Sequence, residues 1–273
     1  MAEQRNETPT DNDAYVREVH DKGLQFDLRT MSRRRMLTVL GGAGVLGAVG
    51  GRLLADQSPA SAACVAEVES ETAGPYPADG SNGVEIRTVA GVVRGDIRSS
   101  FNGATGVAGG IGLDFSLTVL NLSCVPLAGA AVYAWHCDRE GRYSLYSSGV
   151  TNQNYLRGIQ ATDATGTATF RSIYPGCYAG RWPHIHFEVY SSPANATNGR
   201  GPIVKTSQIA LPKDVSSAVY ATSGYSQSVT NLSRISLATD GVFRDDLAAR
   251  EMATVTGSVT SGYTARLTIS VKG

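Results

Sequence analysis

The sequence predicts an all-β protein, a single β-sandwich domain with long loops, preceded by an export signal. Three observations carry that expectation. Short stretches alternate apolar and polar side chains with a period of two, the mark of half-buried strands. Gly/Asn/Ser/Asp clusters separate them, as turns between sandwich strands require. The only stretch with helical character is residues 244–252. The chain has 273 residues, 42% of them hydrophobic, with 31 Gly and 10 Pro, enough for a sizeable core. Its 24 Lys+Arg balance 24 Asp+Glu. That excludes the basic surface of a nucleic-acid binder and the composition of a disordered chain.

Residues 1–63 read as a different object from the rest. A polar start leads into Ser32-Arg33-Arg34-Arg35-Met36-Leu37, then a Gly-rich apolar run to Gly51, and then Ala60-Ser61-Ala62. The run is too short and weak for a membrane-spanning helix, which needs about 20 apolar residues. Basic, apolar and small-residue segments in that order make an export signal, and its Ser-Arg-Arg core resembles the twin-arginine type that carries folded proteins. The expected transport partner is the twin-arginine translocase, and the expected location is outside the cytoplasm. Cys64 leaves lipoprotein cleavage as a minor alternative. Residues 64–273 form the expected domain, about 210 residues and comfortable for one core. They carry 3 Lys and 13 Arg against 16 Asp+Glu, so neutrality survives removal of the signal. Cys64, Cys124, Cys137 and Cys177 all fall in this domain, where four cysteines allow three pairings.

Strands are expected at residues 113–119, where Leu, Phe, Leu and Val alternate with polar residues, and at 129–135, ending in Trp135. A third follows the Asp163–Gly166 turn at 167–170. A fourth occupies 184–190, and a fifth closes the chain at 265–271. In the fourth, side chains two apart share a face. Ile185, Phe187 and Val189 therefore point to the core, while His184, His186 and Glu188 point the other way. Two imidazoles side by side on one strand can grip a metal ion, against the plainer reading of a solvated face. His136 is a possible third imidazole, but nothing local sets its direction.

The neighbours sharpen the metal reading. A Pro/Gly-rich loop, Tyr174-Pro175-Gly176-Cys177-Tyr178-Ala179-Gly180-Arg181-Trp182-Pro183, feeds straight into His184. Tyr178 is close enough in sequence for its phenol to fold back over the imidazoles, and Arg181 can bring a positive charge there. Tyr143 stands in the turn after Trp135. Two hard phenolate oxygens with two imidazoles suit Fe(III) better than Zn(II).

Taken together, Trp135…Tyr143, Pro175-Gly176-x-Tyr178, Arg181-x-x-His184-x-His186 and Gln208 resemble the intradiol ring-cleavage dioxygenases. Glu71-Thr72-Ala73-Gly74-Pro75-Tyr76 resembles an element near the start of the domain in secreted members, and the stretches at 156–163 and 206–208 also resemble that branch. The resemblance covers roughly residues 67–246. It implies non-haem Fe(III) held by Tyr143, Tyr178, His184 and His186. It also implies that Tyr178 leaves the metal and accepts a substrate proton, that Arg181 steadies negative charge on the substrate, that Gln208 lines the site, and that Tyr76 contacts substrate at the mouth. The implied reaction inserts both atoms of O2 into a catechol-type aromatic, giving a cis,cis-muconate-type diacid. Two positions depart from the family pattern: Ala73 replaces a usual Glu, and Cys177 replaces an aromatic or Pro. A disulfide at Cys177 would stiffen the ligand loop, whereas a free thiol there would be open to oxidation.

Two rival readings stay open at this point: a non-catalytic secreted β-sandwich that binds polysaccharide or protein, and a zinc hydrolase built on His184 and His186. Paired tyrosines weigh against both. No basic cluster beyond Arg181 calls for a carboxylated substrate, so catechol-like compounds are expected, with no nucleic acid and no membrane partner once the signal is cleaved.

Overall fold

A computed structural model describes residues 65–272. The expected export segment, 1–63, lies outside the described residues. Eight strands occur among those described, in two four-stranded sheets. The first sheet has the order β4-β1-β8-β7, built from β1 (Gly112–Asn121), β4 (Thr167–Ile173), β7 (Thr254–Ser258) and β8 (Gly262–Val271). The second has the order β3-β2-β5-β6, built from β2 (Ala131–Trp135), β3 (Arg157–Ala161), β5 (His184–Tyr190) and β6 (Ile203–Ala210). β1 runs parallel to β8, and every other pairing is antiparallel.

Alternation along the strands makes the core between the sheets. β1 turns Leu113, Phe115, Leu117 and Val119 inward, β4 adds Ala168 and Phe170, and β8 adds Ala265, Leu267 and Ile269. From the second sheet come Val132, Ala134, Ile185, Phe187, Val189 and Ile209. Phe115 and Phe170 stack with ring centroids 4.9 Å apart, an offset pairing that adds to plain area burial.

The second sheet is buried on both faces, so the solvated face that sequence reasoning allowed for β5 is not what forms. All seven residues of β5 are buried. A second apolar layer covers the outer face, in which Tyr76, Ala78, Ile86 and Val92 of the amino-terminal segment pack on Tyr133, Trp135, Ile159 and Tyr190. Histidines placed there sit under a roof.

Helices correct a second expectation. Residues 244–252 form no α-helix: a short 3-10 turn at Phe243–Asp245 gives way to irregular turns. Leu247 and Ala248 take φ of 61° and 56°, the left-handed region in which a right-handed helix cannot continue. Helices occur instead at α1 (Pro193–Thr197), α2 (Lys213–Tyr220) and α3 (Ser226–Ser233). α2 and α3 are rich in Ser, a poor helix former, and are held by burying Val219, Tyr220 and Leu232 against the core. Among the described residues no helix is long and apolar enough to cross a membrane.

Candidate metal centre

β5 supplies the first two groups. His186 lies opposite Trp135 of β2 and Gln208 of β6, so these three side chains share one row on the outer face. The His186 ring lies flat on the Trp135 indole, with centroids 4.9 Å apart and planes within 3°. His184 receives its orientation from the chain itself, its Nδ1 meeting the Trp182 carbonyl oxygen at 2.5 Å. Nδ1 therefore carries the proton and Nε2 offers its lone pair inward. His184 Nε2 and His186 Nε2 stand 3.0 Å apart.

Two loops bring the phenols to the same point. Tyr143 comes from the turn after β2, held by the hydrogen bond its backbone amide donates to Ser147 Oγ. Its hydroxyl lies 3.1 Å from His186 Nε2 and 3.5 Å from His184 Nε2. Tyr178 comes from the loop before β5, with its hydroxyl 3.4 Å from His184 Nε2. Gly176 lets that loop pass against the turn after β2, because a Cβ there would sit 2.8 Å from the backbone oxygens of both Asp138 and Arg139. At Gly141, φ is +83° and a Cβ would meet Tyr178 Cβ at 3.1 Å, so glycine serves both as a turn and as clearance for the ligand loop.

Four donor atoms thus converge, His184 Nε2 lying 3.0 to 3.5 Å from the other three. Metal bonds of about 2.0–2.1 Å place neighbouring ligands about 3.0–3.4 Å apart, so the set has the dimensions of a coordination shell. Two neutral imidazoles and two phenols match a hard trivalent ion such as Fe(III). Among the described residues, no group of three His, Cys, Asp or Glu could hold a metal; the third and fourth donors here are tyrosines. Electrostatics point the same way. Burial, with Arg181 adding, pulls His184 down to about 3. Burial, followed by His184 and Arg181, holds His186 well below the usual imidazole range. Both rings are therefore neutral and able to ligate. Burial, with Tyr178 adding, lifts the Tyr143 phenol well above its usual range, so its ionisation requires a cation close by.

Arg181 and Gln208 meet at this site. Arg181 is 1% exposed. Its Nη2 donates to Gln208 Oε1 at 2.6 Å, its Nε donates to Asp240 Oδ2 at 3.0 Å, and Nη1 reaches to 3.5 Å from the Tyr178 hydroxyl. Gln208 Nε2 in turn donates to the Thr72 carbonyl at 2.9 Å, tying the amino-terminal segment across the site. Tyr76, further along that segment, lies over Tyr143 with ring centroids 4.8 Å apart. Tyr178 is half-buried while Tyr143 is 1% exposed.

Not every sequence expectation meets here. His136 turns to the opposite face of the sheet, where Nε2 bonds Ser172 Oγ at 2.7 Å and the ring edges Phe115. Burial lowers it to about 4, and it is no third imidazole. Cys177 is free and buried, as is Cys137, while Cys124 is disulfide-bonded. A disulfide therefore does not stiffen the ligand loop; the Cys177 thiol, raised by burial to about 12, donates instead to the Arg181 carbonyl at 3.3 Å.

Sequence reasoning missed Asp240 and Phe243. Phe243 lies edge-on to His184, with centroids 6.4 Å apart, and under the Arg181 guanidinium at 5.8 Å. The only local sign was an Asp-Gly pair before an aromatic residue, which marks a turn and says nothing of what it faces.

Buried acids give the metal-free protein a distinct pH dependence. Burial, with Asp245 and Glu251 adding, raises Glu71 to about 8. Burial and Asp79 raise Glu188 to about 8. Burial and Asp246 raise Glu251 to about 7. In the unfolded chain all three ionise near 4.5, so above that pH the folded state binds more protons and loses stability until these groups ionise. The buried histidines act oppositely, but only below about 6.5, where unfolded imidazoles are protonated. Thermal melts should therefore show Tm falling from pH 6.5 to 8, with a shallower fall for Glu251→Gln. A Tm that rises across that window would contradict these assignments.

Comparison with known proteins follows the same lines. Residues 98–184 match the family model described as Dioxygenase, a span that contains Tyr143, Tyr178, Arg181 and His184. A 64-residue segment is 34% identical to chlorocatechol 1,2-dioxygenase of Rhodococcus opacus, covering 23% of this chain and 25% of that protein. The chain thus matches about a quarter of the length of this curated relative. Among solved structures, the intradiol ring-cleavage dioxygenase from Tetranychus urticae aligns over 66% of this chain and 87% of its own, with a TM-score of 0.55 and 25% identity.

Proposed function

Because this chain belongs to the intradiol ring-cleavage dioxygenase family, we propose that it is a non-haem Fe(III) enzyme. On this reading it cleaves catechol-type aromatics between their hydroxyls with O2, giving cis,cis-muconate-type diacids. The observation that carries the reading is the convergence of Tyr143, Tyr178 and His186 on His184, whose Nε2 lies 3.0–3.5 Å from all three, with Tyr143 3.1 Å from His186. A ferric ion held by these four would supply Lewis-acid stabilisation to a chelated catechol and lower the pKa of its hydroxyls.

The remaining chemistry belongs to the chain. Of the two phenols, Tyr178 is the half-buried one on a loop, so it is the one placed to take a substrate proton at its oxygen. Tyr143 is locked under Tyr76 and stays. Arg181 Nη1, beside the Tyr178 hydroxyl, sits where negative charge develops on the substrate and opposes its build-up in a partly dry site. Gln208 holds Arg181 and fastens the amino-terminal segment above it. Tyr76 forms the wall at the mouth, while Trp135 and Phe243 fill the space behind the imidazoles and keep water out. Arg181 is paired with Asp240, which favours substrates without a carboxylate on the ring.

Residues 1–63 we read as a twin-arginine export signal, supported by the order of basic, apolar and small residues. Export of a folded protein fits a centre whose ligands lie about forty residues apart.

Ferric loading tests the reading directly. Purified protein should turn red-brown through tyrosinate-to-Fe(III) charge transfer and consume O2 with catechol. Protein that stays colourless and inactive after loading would refute it. In loaded Tyr178→Phe the iron and part of the visible band should persist while turnover falls about 10²–10⁴-fold, the range for loss of a general base. Unchanged turnover would reassign the proton acceptor. A zinc hydrolase or a sugar-binding module would show neither colour nor O2 uptake.

A further inference from the structure

One carboxylate outside the ligand set ties together everything around Arg181. Asp240 is fully buried and accepts four hydrogen bonds. Oδ2 takes Arg181 Nε at 3.0 Å and the Trp182 backbone amide at 2.6 Å. Oδ1 takes the Val242 and Phe243 amides at 2.8 and 3.0 Å. Burial opposes its charge, but Arg181 and those amides overcome the penalty and hold its carboxyl below the usual range, so the ion pair is intact at neutral pH.

The geometry of the pair is directional. A guanidinium is planar, with its N–H groups in a fixed fork. Asp240 occupies the Nε edge and Gln208 takes Nη2. Two anchored positions on a rigid plane fix the third, and Nη1 then faces the Tyr178 hydroxyl. The same carboxylate also builds the turn that sets Phe243 against the Arg181 plane and the His184 ring.

We propose that Asp240 is a positioning residue of this site, holding the Arg181 guanidinium in the orientation that aims Nη1 at the Tyr178 oxygen. The role rests on the proposed function only in its consequence for turnover; the Asp240–Arg181 orientation stands on the fold alone. Asp240→Asn is the informative variant. It keeps the side-chain shape and one oxygen for the Val242 and Phe243 amides, but turns an NH2 group toward Arg181 Nε–H and Trp182 N–H, leaving donors facing donors.

The test is a double-mutant cycle with Arg181→Gln on the iron-loaded full chain, joined to an NMR measurement that needs neither substrate nor turnover. Asp240→Asn should lower kcat about 10- to 100-fold, the usual effect of losing a partner behind a site residue, with KM changed far less and the tyrosinate band retained. In the Arg181→Gln background the same change should cost nothing further. In the metal-free full chain, the Arg181 Nε–H proton should exchange slowly in the wild type and quickly in Asp240→Asn. An equal kcat loss in both backgrounds would make Asp240 a fold element and overturn the proposal, as would an Arg181 Nε–H that stays protected in Asp240→Asn. A wild-type protein that binds no iron and cleaves no catechol would refute the functional reading, while the exchange result still decides whether Asp240 orients Arg181.

Discussion

On the ferric reading proposed above, alanine at His186 will abolish iron binding and ring cleavage. His186 Nε2 is 3.0 Å from His184 Nε2 and 3.1 Å from the Tyr143 hydroxyl, so its removal opens one corner of the four-donor set. Partners lying behind a metal ligand already account for about 10- to 100-fold in affinity. Loss of the ligand itself should exceed about 100-fold, with turnover falling to background. The cavity left beside Trp135 adds a second fault, because the imidazole stacks on that indole at 4.9 Å. Iron content after dialysis, read together with the visible tyrosinate band, checks the prediction. A colourless His186→Ala protein with full activity would refute the ligand assignment, and a red-brown one with stoichiometric iron would move the ligand elsewhere.

Phe187→Ala will have the largest effect on stability. Phe187 directly follows His186 in sequence, points to the opposite face and is fully buried in the core between the sheets. Truncating a buried Phe costs about 3–5 kcal/mol, from lost burial and the cavity left behind. For a domain of this size, each kcal/mol lowers Tm by about 2–4 °C. Equilibrium denaturation of wild type and variant, scored by the midpoint at unchanged slope, measures this. A loss below about 1 kcal/mol would mean the core closes over the gap. The two predictions separate cleanly, since adjacent residues on one strand serve different faces: one variant loses metal and the other loses fold.

Local pattern revealed the fold unevenly. β1, β4, β5 and β8 were legible because their inward positions are apolar and their outward ones polar, which is the period-two signal itself. β6 was not legible as a strand, since its buried residues include Lys205, Thr206, Ser207 and Gln208. Lys205 is satisfied by Glu67, the Val68 carbonyl and Ser70, and Gln208 by Arg181 and Thr72. Polar side chains buried by partners beyond their own strand give no alternation. β3 hid for the same reason: Arg157 is 1% exposed and bonded to the Pro77 and Ser144 carbonyls. The stretch 244–252 misled in the other direction. Its Leu, Ala, Arg, Glu and Met favour helix, but left-handed backbone at Leu247 and Ala248 and turn contacts to the core override that preference.

The candidate site divides along the same line. From the sequence alone came the strand that carries His184 and His186, the face they share, and the tyrosines and arginine near enough to matter, because these follow from strand periodicity and residue chemistry. Tertiary structure decided the rest. It put a roof over that face, sent His136 into the opposite layer, left Cys177 a thiol, and brought Asp240 in from 59 residues away to seat Arg181. The physical reason is range: a period of two is set by bonds between neighbours, whereas a buried ion pair forms only where the whole chain excludes water around both charges.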